Sequence, residues 1–279
     1  MISYNHTKSY LIRVYFFEAT LYVNKSSMFR ELNIFFTALS FFTRIPFPKW
    51  AKFEKAYQHE AVKYFSISGL IIGGLSGLVF ALCHWVLPFN ISLVLCMVFT
   101  TLLTGALHED GFMDVCDGFG GGWTKERILD IMKDSLVGAF GISGILFVVL
   151  ARFFGMEAIS ASSLPVVLIV AHSFSRTLAG SLVNSHDYAR VENSKAKDYT
   201  HKLSGGNQVF LWLTGLLPIL LLQDIKYFLI IIPAFLAKYL LGRYFHKWIG
   251  GYTGDCIGAT QQVVEIVIYL SFYIISVHL

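Results

Sequence analysis

Residues 108–141 read HEDGFMDVCDGFGGGWTKERILDIMKDSLVGAFG, a dense island of acid in a 279-residue chain that is otherwise 55% hydrophobic. Asp110, Asp114 and Asp117 stand at i, i+4 and i+7, so a helix over this stretch carries their carboxylates on one face. Like charges so placed repel one another. Oxygen ligation of a divalent cation such as Mg²⁺ supplies the most direct counter-charge. A second acidic pair, Asp130 and Asp134, follows at one-turn spacing beyond the glycine-rich Gly118–Gly122. The pattern predicts two acidic half-sites on two helices, joined by a flexible linker and closing around metal and phosphate.

Around this island the composition decides the class of protein. Only 14% of the residues are charged and the mean hydropathy is +0.60, which excludes an ordinary soluble surface and predicts an all-α, polytopic integral membrane bundle. Cys83, Cys96, Cys116 and Cys256 form no CxxC pair, so neither a disulfide framework nor a zinc site is expected. The formal charge of +4 is spread over the connections between apolar segments. It predicts loop topology and no nucleic-acid partner.

Seven apolar segments, roughly 64–88, 91–107, 138–157, 164–183, 207–223, 226–246 and 260–278, are long enough to cross a bilayer. Before them, Leu32–Phe47 is too short and too broken by Arg44, Pro46 and Pro48, and reads as an interfacial or re-entrant helix. Arg44 is either an interface anchor or a phosphate ligand. Lys49, Lys52, Lys55 and Lys63 precede the first span. Lys125, Arg127 and Lys133, then Arg190, Lys195, Lys197 and Lys202, then Lys247, fill alternate connections. By the positive-inside rule these loops, and the acidic island with them, face the cytoplasm. Ser66–Gly77, SISGLIIGGLSG, carries small residues at three- and four-residue spacing and predicts close helix packing. Residues 1–27 show no signal-peptide pattern.

The motif H-x-D-G-x-x-D-x-x-D-G, followed by R-x-x-D-I-M-K-D-S-x-x-G-x-x-G, resembles the signature of the cobalamin synthase, or adenosylcobinamide-GDP ribazoletransferase, family. The opening F-x-T-R-x-P-x-P, the Tyr188-Ala189-Arg190 triplet and Gly250-Gly251-Tyr252-Thr253-Gly254-Asp255…Glu265 are similar to that family as well. The local logic also resembles CDP-alcohol phosphotransferases. That family's Ala-Arg after the last aspartate is missing here, and the spacer is shorter. The family resemblance begins at Met28, so residues 1–27 are expected to be an extension and 28–279 a single membrane-embedded domain.

The resemblance implies a Mg²⁺-dependent transferase of cobalamin biosynthesis in the cell inner, or plasma, membrane. The substrates would be adenosylcobinamide-GDP and α-ribazole or its 5′-phosphate, with GMP released. Asp110, Asp114, Asp117 and Asp134 are the expected metal ligands. Asp130 supports them or acts as base, and His108 is a general base or a hydrogen-bond donor to a carboxylate. Arg152, Arg176 and Arg190 are expected at the diphosphate, the open alternative being a structural ion pair with an aspartate for Arg152 and Arg176 and a positive-inside charge at a span end for Arg190. Thr253, Gly254, Asp255 and Glu265 complete the expected substrate site. A homo-oligomer is compatible with this reading. The rival readings are a lipid-headgroup transferase and a cation transporter. The transporter would hold its acids near the bilayer midplane with broken helices.

Overall fold

The computed structural model describes residues 27–190 and 202–279. The expectations for residues 1–26, and for Lys195 and Lys197, lie outside the described residues. Every regular element among those described is helical, and one isolated parallel bridge joins Tyr188 to Tyr252. In chain order the helices are α1 (27–42), α2 (Tyr57–His84), α3 (Phe89–Thr104), α4 (Leu107–Gly121) and α5 (Lys125–Ile131). They continue with α6 (Ala139–Glu157), α7 (Leu164–Ser185), α8 (Gly205–Leu222), α9 (Ile225–Ile249) and α10 (Gly254–His278).

Six of these, α2, α6, α7, α8, α9 and α10, are long and apolar enough to cross a membrane. The pair α3 and α4 makes a seventh if counted as one broken span, because its limbs meet at 87°. The chain is therefore a polytopic all-α membrane bundle, with segments close to the seven predicted. The bend has a local cause. Gly105 and Ala106 both adopt left-handed backbone, at φ 65° and 57°, and their N–H groups close back on Leu102 and Thr101 as a helix C-cap. Arg44 lies against this turn, and its backbone N–H donates to the Leu103 carbonyl at 2.7 Å.

Helix α7 is the axis of the bundle: 89% of its apolar window is buried, against 22% for α8 and for α9. Its closest neighbour is α2, and the small-residue stripe explains why. A Cβ on Gly69 would lie 2.2 Å from the His172 carbonyl oxygen, and one on Gly73 would lie 2.5 Å from that of Leu168. The two backbones touch there. Helix α1 is laid against the start of α2. Phe42 stacks on Phe65 with ring centroids 4.2 Å apart, and Glu31 accepts from Lys63 at 2.7 Å. Lys63, expected as a loop charge, is thus a buried helical residue.

The first half of the acidic island is helical, as its spacing predicts, and this helix, α4, packs against α6 and α10. The glycine run, expected as a flexible linker, is not one. Gly118 to Gly121 form the last turn of α4, and Gly118 lets the Met132 side chain close over it, at 2.5 Å from where a Cβ would stand.

Candidate active site

Two chain segments that are far apart in sequence meet to build the site. The residues leaving α7 run beside those entering α10: Tyr252 N–H donates to the Asp187 carbonyl and Ala189 N–H to the Tyr252 carbonyl, each at 2.9 Å. This short parallel pairing places Arg190 beside Asp255, and their side chains pair at 3.0 Å. Thr253 is fully buried and caps α10, accepting from Cys256 N–H at 3.3 Å and donating to Asp255 Oδ2 at 3.2 Å. Burial pushes the Tyr252 hydroxyl up to about 12, with Tyr188 and Asp187 adding to the shift, so it stays a neutral donor.

Helix α10 then presses onto α4. A Cβ at Gly111 would lie 2.9 Å from Asp255 Cα, so glycine is what lets Asp255 reach the acidic face. The charges acting on the half-buried Asp114 are repulsion from Asp255, Asp110 and Asp117 and attraction to Arg190. Three carboxylates from two helices, Asp110, Asp114 and Asp255, thus share one neighbourhood, and one cation from the α7–α10 crossing partly offsets them.

A cleft of about 460 Å³ opens at these acids, with Asp110, Asp255, Gly254 and His108 in its wall. The remaining wall includes five aromatic rings, Phe41, Phe42, Phe65, Tyr188 and Tyr252, among aliphatic and small residues. His108 is buried against Phe65, with ring centroids 5.5 Å apart, and its Nε2 has no hydrogen-bond partner among the described residues. A second cavity, about 320 Å³, lies beyond Arg190 and is lined by Lys125, Glu126, Leu129, Asp130, Lys133 and Ala189.

Several predicted site residues stand elsewhere. Asp117 does not face the other acids as a free ligand. Its Oδ2 accepts from Gly138 N–H at 2.7 Å and its Oδ1 from Gly141 N–H at 2.8 Å, so it caps the N-terminus of α6. Asp134 lies in the exposed connection after α5, where its Oδ1 accepts from Leu136 N–H at 3.1 Å. Asp130 is exposed on α5 and lines the second cavity rather than the cleft.

Arg152, Arg176 and Glu265, expected at the substrate, are instead buried deep among α4, α6, α7 and α10. Arg152 binds Glu109 at 3.0 Å and Glu265 at 3.2 Å. The other Glu265 oxygen lies 3.1 Å from His172 Nδ1 and also accepts from Gln261. Arg176 donates to the His172 carbonyl at 3.0 Å. Its equally close approach to His172 Nδ1 competes with Glu265 for that atom. We place the Nδ1 proton toward the carboxylate, because Arg176 has the carbonyl as an alternative acceptor and the carboxylate is the stronger one. Two arginines and two glutamates then cancel. For Arg152 the alternative of a structural ion pair is what the fold adopts, with glutamates rather than aspartates as partners, whereas Arg176 is held by His172.

Glu109 was not singled out from the sequence as the partner of Arg152, since nothing in their spacing links them. The cleft aromatics were also missed. In a chain that is 16% aromatic, no single ring stands out.

Among the described residues, no three His, Cys, Asp or Glu side chains converge on one point that could hold a metal ion. The donor chemistry nevertheless fits a hard divalent cation. Asp110 and Asp114 offer oxygens only, in excess negative charge, and Mg²⁺ characteristically takes one or two carboxylates and completes its shell with substrate phosphates and water.

Comparison with known proteins gives a consistent result. The family described as Cobalamin-5-phosphate synthase matches residues 34–273. The chain is 42% identical to the adenosylcobinamide-GDP ribazoletransferase of Shewanella frigidimarina over 251 residues, which cover 86% of this chain and 94% of the relative. It is 40% identical to the enzyme of that name from Shewanella amazonensis over 250 residues, 88% and 96% of the two chains. No solved structure matches.

Proposed function

The chain belongs to the cobalamin-5-phosphate synthase family, and on that premise we propose that it is an adenosylcobinamide-GDP ribazoletransferase whose site opens to the cytoplasmic side of the inner, or plasma, membrane. The observation that carries the reading is the packing of Asp255 against Gly111, which brings α10 to the acids of α4 at the mouth of a cleft.

In the reaction, a hydroxyl oxygen of α-ribazole, or of its 5′-phosphate, forms a bond to the phosphorus attached to cobinamide. The bond from that phosphorus to the bridging oxygen of the diphosphate breaks, and GMP leaves with the oxygen and its electron pair. The hydroxyl proton passes to a base, for which we take His108, which lines the cleft and leaves its Nε2 without a partner among the described residues. Arg190 and the Thr253–Asp255 turn position the phosphates from the other side. A Mg²⁺ ion held by Asp110 and Asp114, when bound, supplies charge neutralisation at the leaving phosphate. Arg152, Arg176, Glu109 and Glu265 act on α4 from behind, fixing the helix that bears the acids.

The broken helix α3–α4 is the feature that a transporter reading asks for. It serves here to turn the acids of α4 toward a cleft walled by aromatic rings. The test is direct: purified protein with Mg²⁺, adenosylcobinamide-GDP and α-ribazole should yield the joined corrinoid and GMP. Conversion of CDP-diacylglycerol instead, or no transfer at all, overturns the assignment.

A further inference from the structure

The cleft and the second cavity touch at one ion pair. Asp255 lines the cleft, Arg190 lines the second cavity, and their side chains are bonded at 3.0 Å. The two spaces differ in chemistry. The cleft offers aromatic rings and two carboxylates, Asp110 and Asp255. The second cavity offers three cations, Lys125, Lys133 and Arg190, against the two acids Glu126 and Asp130. Arg190 also leaves its Nε–H unpaired among the described residues.

We propose that the Arg190–Asp255 pair divides two substrate subsites: the planar base of the nucleoside acceptor stacks in the aromatic cleft, and the guanosine phosphates of the donor lie along Lys125, Lys133 and Arg190. This rests on the transferase reading above and deepens it. A bicyclic aromatic base suits the cleft in size and lining, since drug-sized ligands occupy cavities of roughly 300–1,000 Å³ with mostly apolar walls. A corrin ring carrying its side chains is too large for it. A nucleotide diphosphate placed there would face both carboxylates, whereas in the second cavity it meets ammonium and guanidinium groups. The reacting phosphorus then falls between the two subsites, beside Asp255 and within reach of the α4 acids. Lys125 and Lys133 thereby acquire a role beyond topology.

Steady-state kinetics of the full chain in phosphatidylethanolamine/phosphatidylglycerol nanodiscs tests this. Phe41→Ala and Tyr188→Ala should raise KM for α-ribazole about ten-fold and leave KM for adenosylcobinamide-GDP within two-fold. The double variant K125A/K133A should do the reverse, and raise the inhibition constant of GMP about ten-fold. A shift of both KM values together in either set, or the opposite assignment, overturns the division. A measurement on unmodified protein guards against misfolded variants: GMP should protect Lys125 and Lys133 from acetylation while α-ribazole leaves them reactive, and equal protection or none overturns the proposal. Wild-type protein that carries out no transfer sinks the function itself, whereas active protein with unshifted variants sinks only the two subsites.

Discussion

Gly111 and Asp255 stand so close that a single methyl group does not fit between them, with the would-be Cβ 2.9 Å from Asp255 Cα. Backbone, not a flexible side chain, is the obstacle. Gly111→Ala should therefore push the start of α10 off α4, separating Asp255 from Asp110 and Asp114. Transfer activity is expected to drop at least ten-fold while circular dichroism shows an unchanged helix content. Wild-type activity in this variant would mean that Asp255 need not approach the acids.

Asp114 and Asp117 should part company when neutralised, although they are three residues apart on one helix. Asp117 spends both oxygens on the first N–H groups of α6. Asp117→Asn keeps one acceptor and loses the charge, and should lower stability by about 1–2 kcal/mol, read as a fall in melting temperature in detergent. Asp114→Asn removes a carboxylate crowded by Asp255 and Asp110, and should abolish transfer without lowering the melting temperature.

The buried quartet makes a stability prediction. Arg152→Met strands the carboxylates of Glu109 and Glu265 away from water and should cost about 3–5 kcal/mol, seen as loss of folded protein on size-exclusion chromatography. Adding Glu109→Gln to that variant should recover part of the loss, because one unpaired charge disappears. If the second substitution makes matters worse, charge balance is not what holds the quartet together.

At the α2–α7 contact, Gly69→Leu should prevent folding, since its Cβ alone would collide with the His172 backbone. Gly74→Leu is the matched control, since five residues along the same helix it points away from α7 into open space. It should express and turn over as the parent does.

If Mg²⁺ is held by Asp110 and Asp114, EDTA should abolish transfer and added Mg²⁺ should restore it. Mg²⁺ should also raise the melting temperature of the parent protein and leave that of Asp114→Asn unmoved. A metal-independent enzyme would refute the ion's role and leave the fold untouched.

Much of this architecture was written in hydropathy. Membrane crossing depends on the length and apolarity of a continuous segment, both local properties, so the spans and the all-α class could be read residue by residue. The stripe of Gly69, Gly73 and Gly77 was legible for the same reason, because only small residues at helical spacing let two backbones touch. Motif content likewise pointed to Asp110, Asp114, Arg190 and the Thr253–Asp255 turn. What could not be read was partnership. Asp114 and Asp117 look alike in sequence, yet the start of α6 folds back to claim the second and leaves the first at the cleft. Arg152 and Arg190 look alike as well, but one meets two glutamates in the interior and the other meets Asp255 at the surface between two cavities. Which carboxylate each cation finds is set by how α4, α6, α7 and α10 cross, and those crossings join residues with no relation in spacing. Local chemistry thus determined that this chain spans a membrane and carries an acidic centre. Tertiary packing alone decided which charges are neutralised within the protein and which are left to act on substrate.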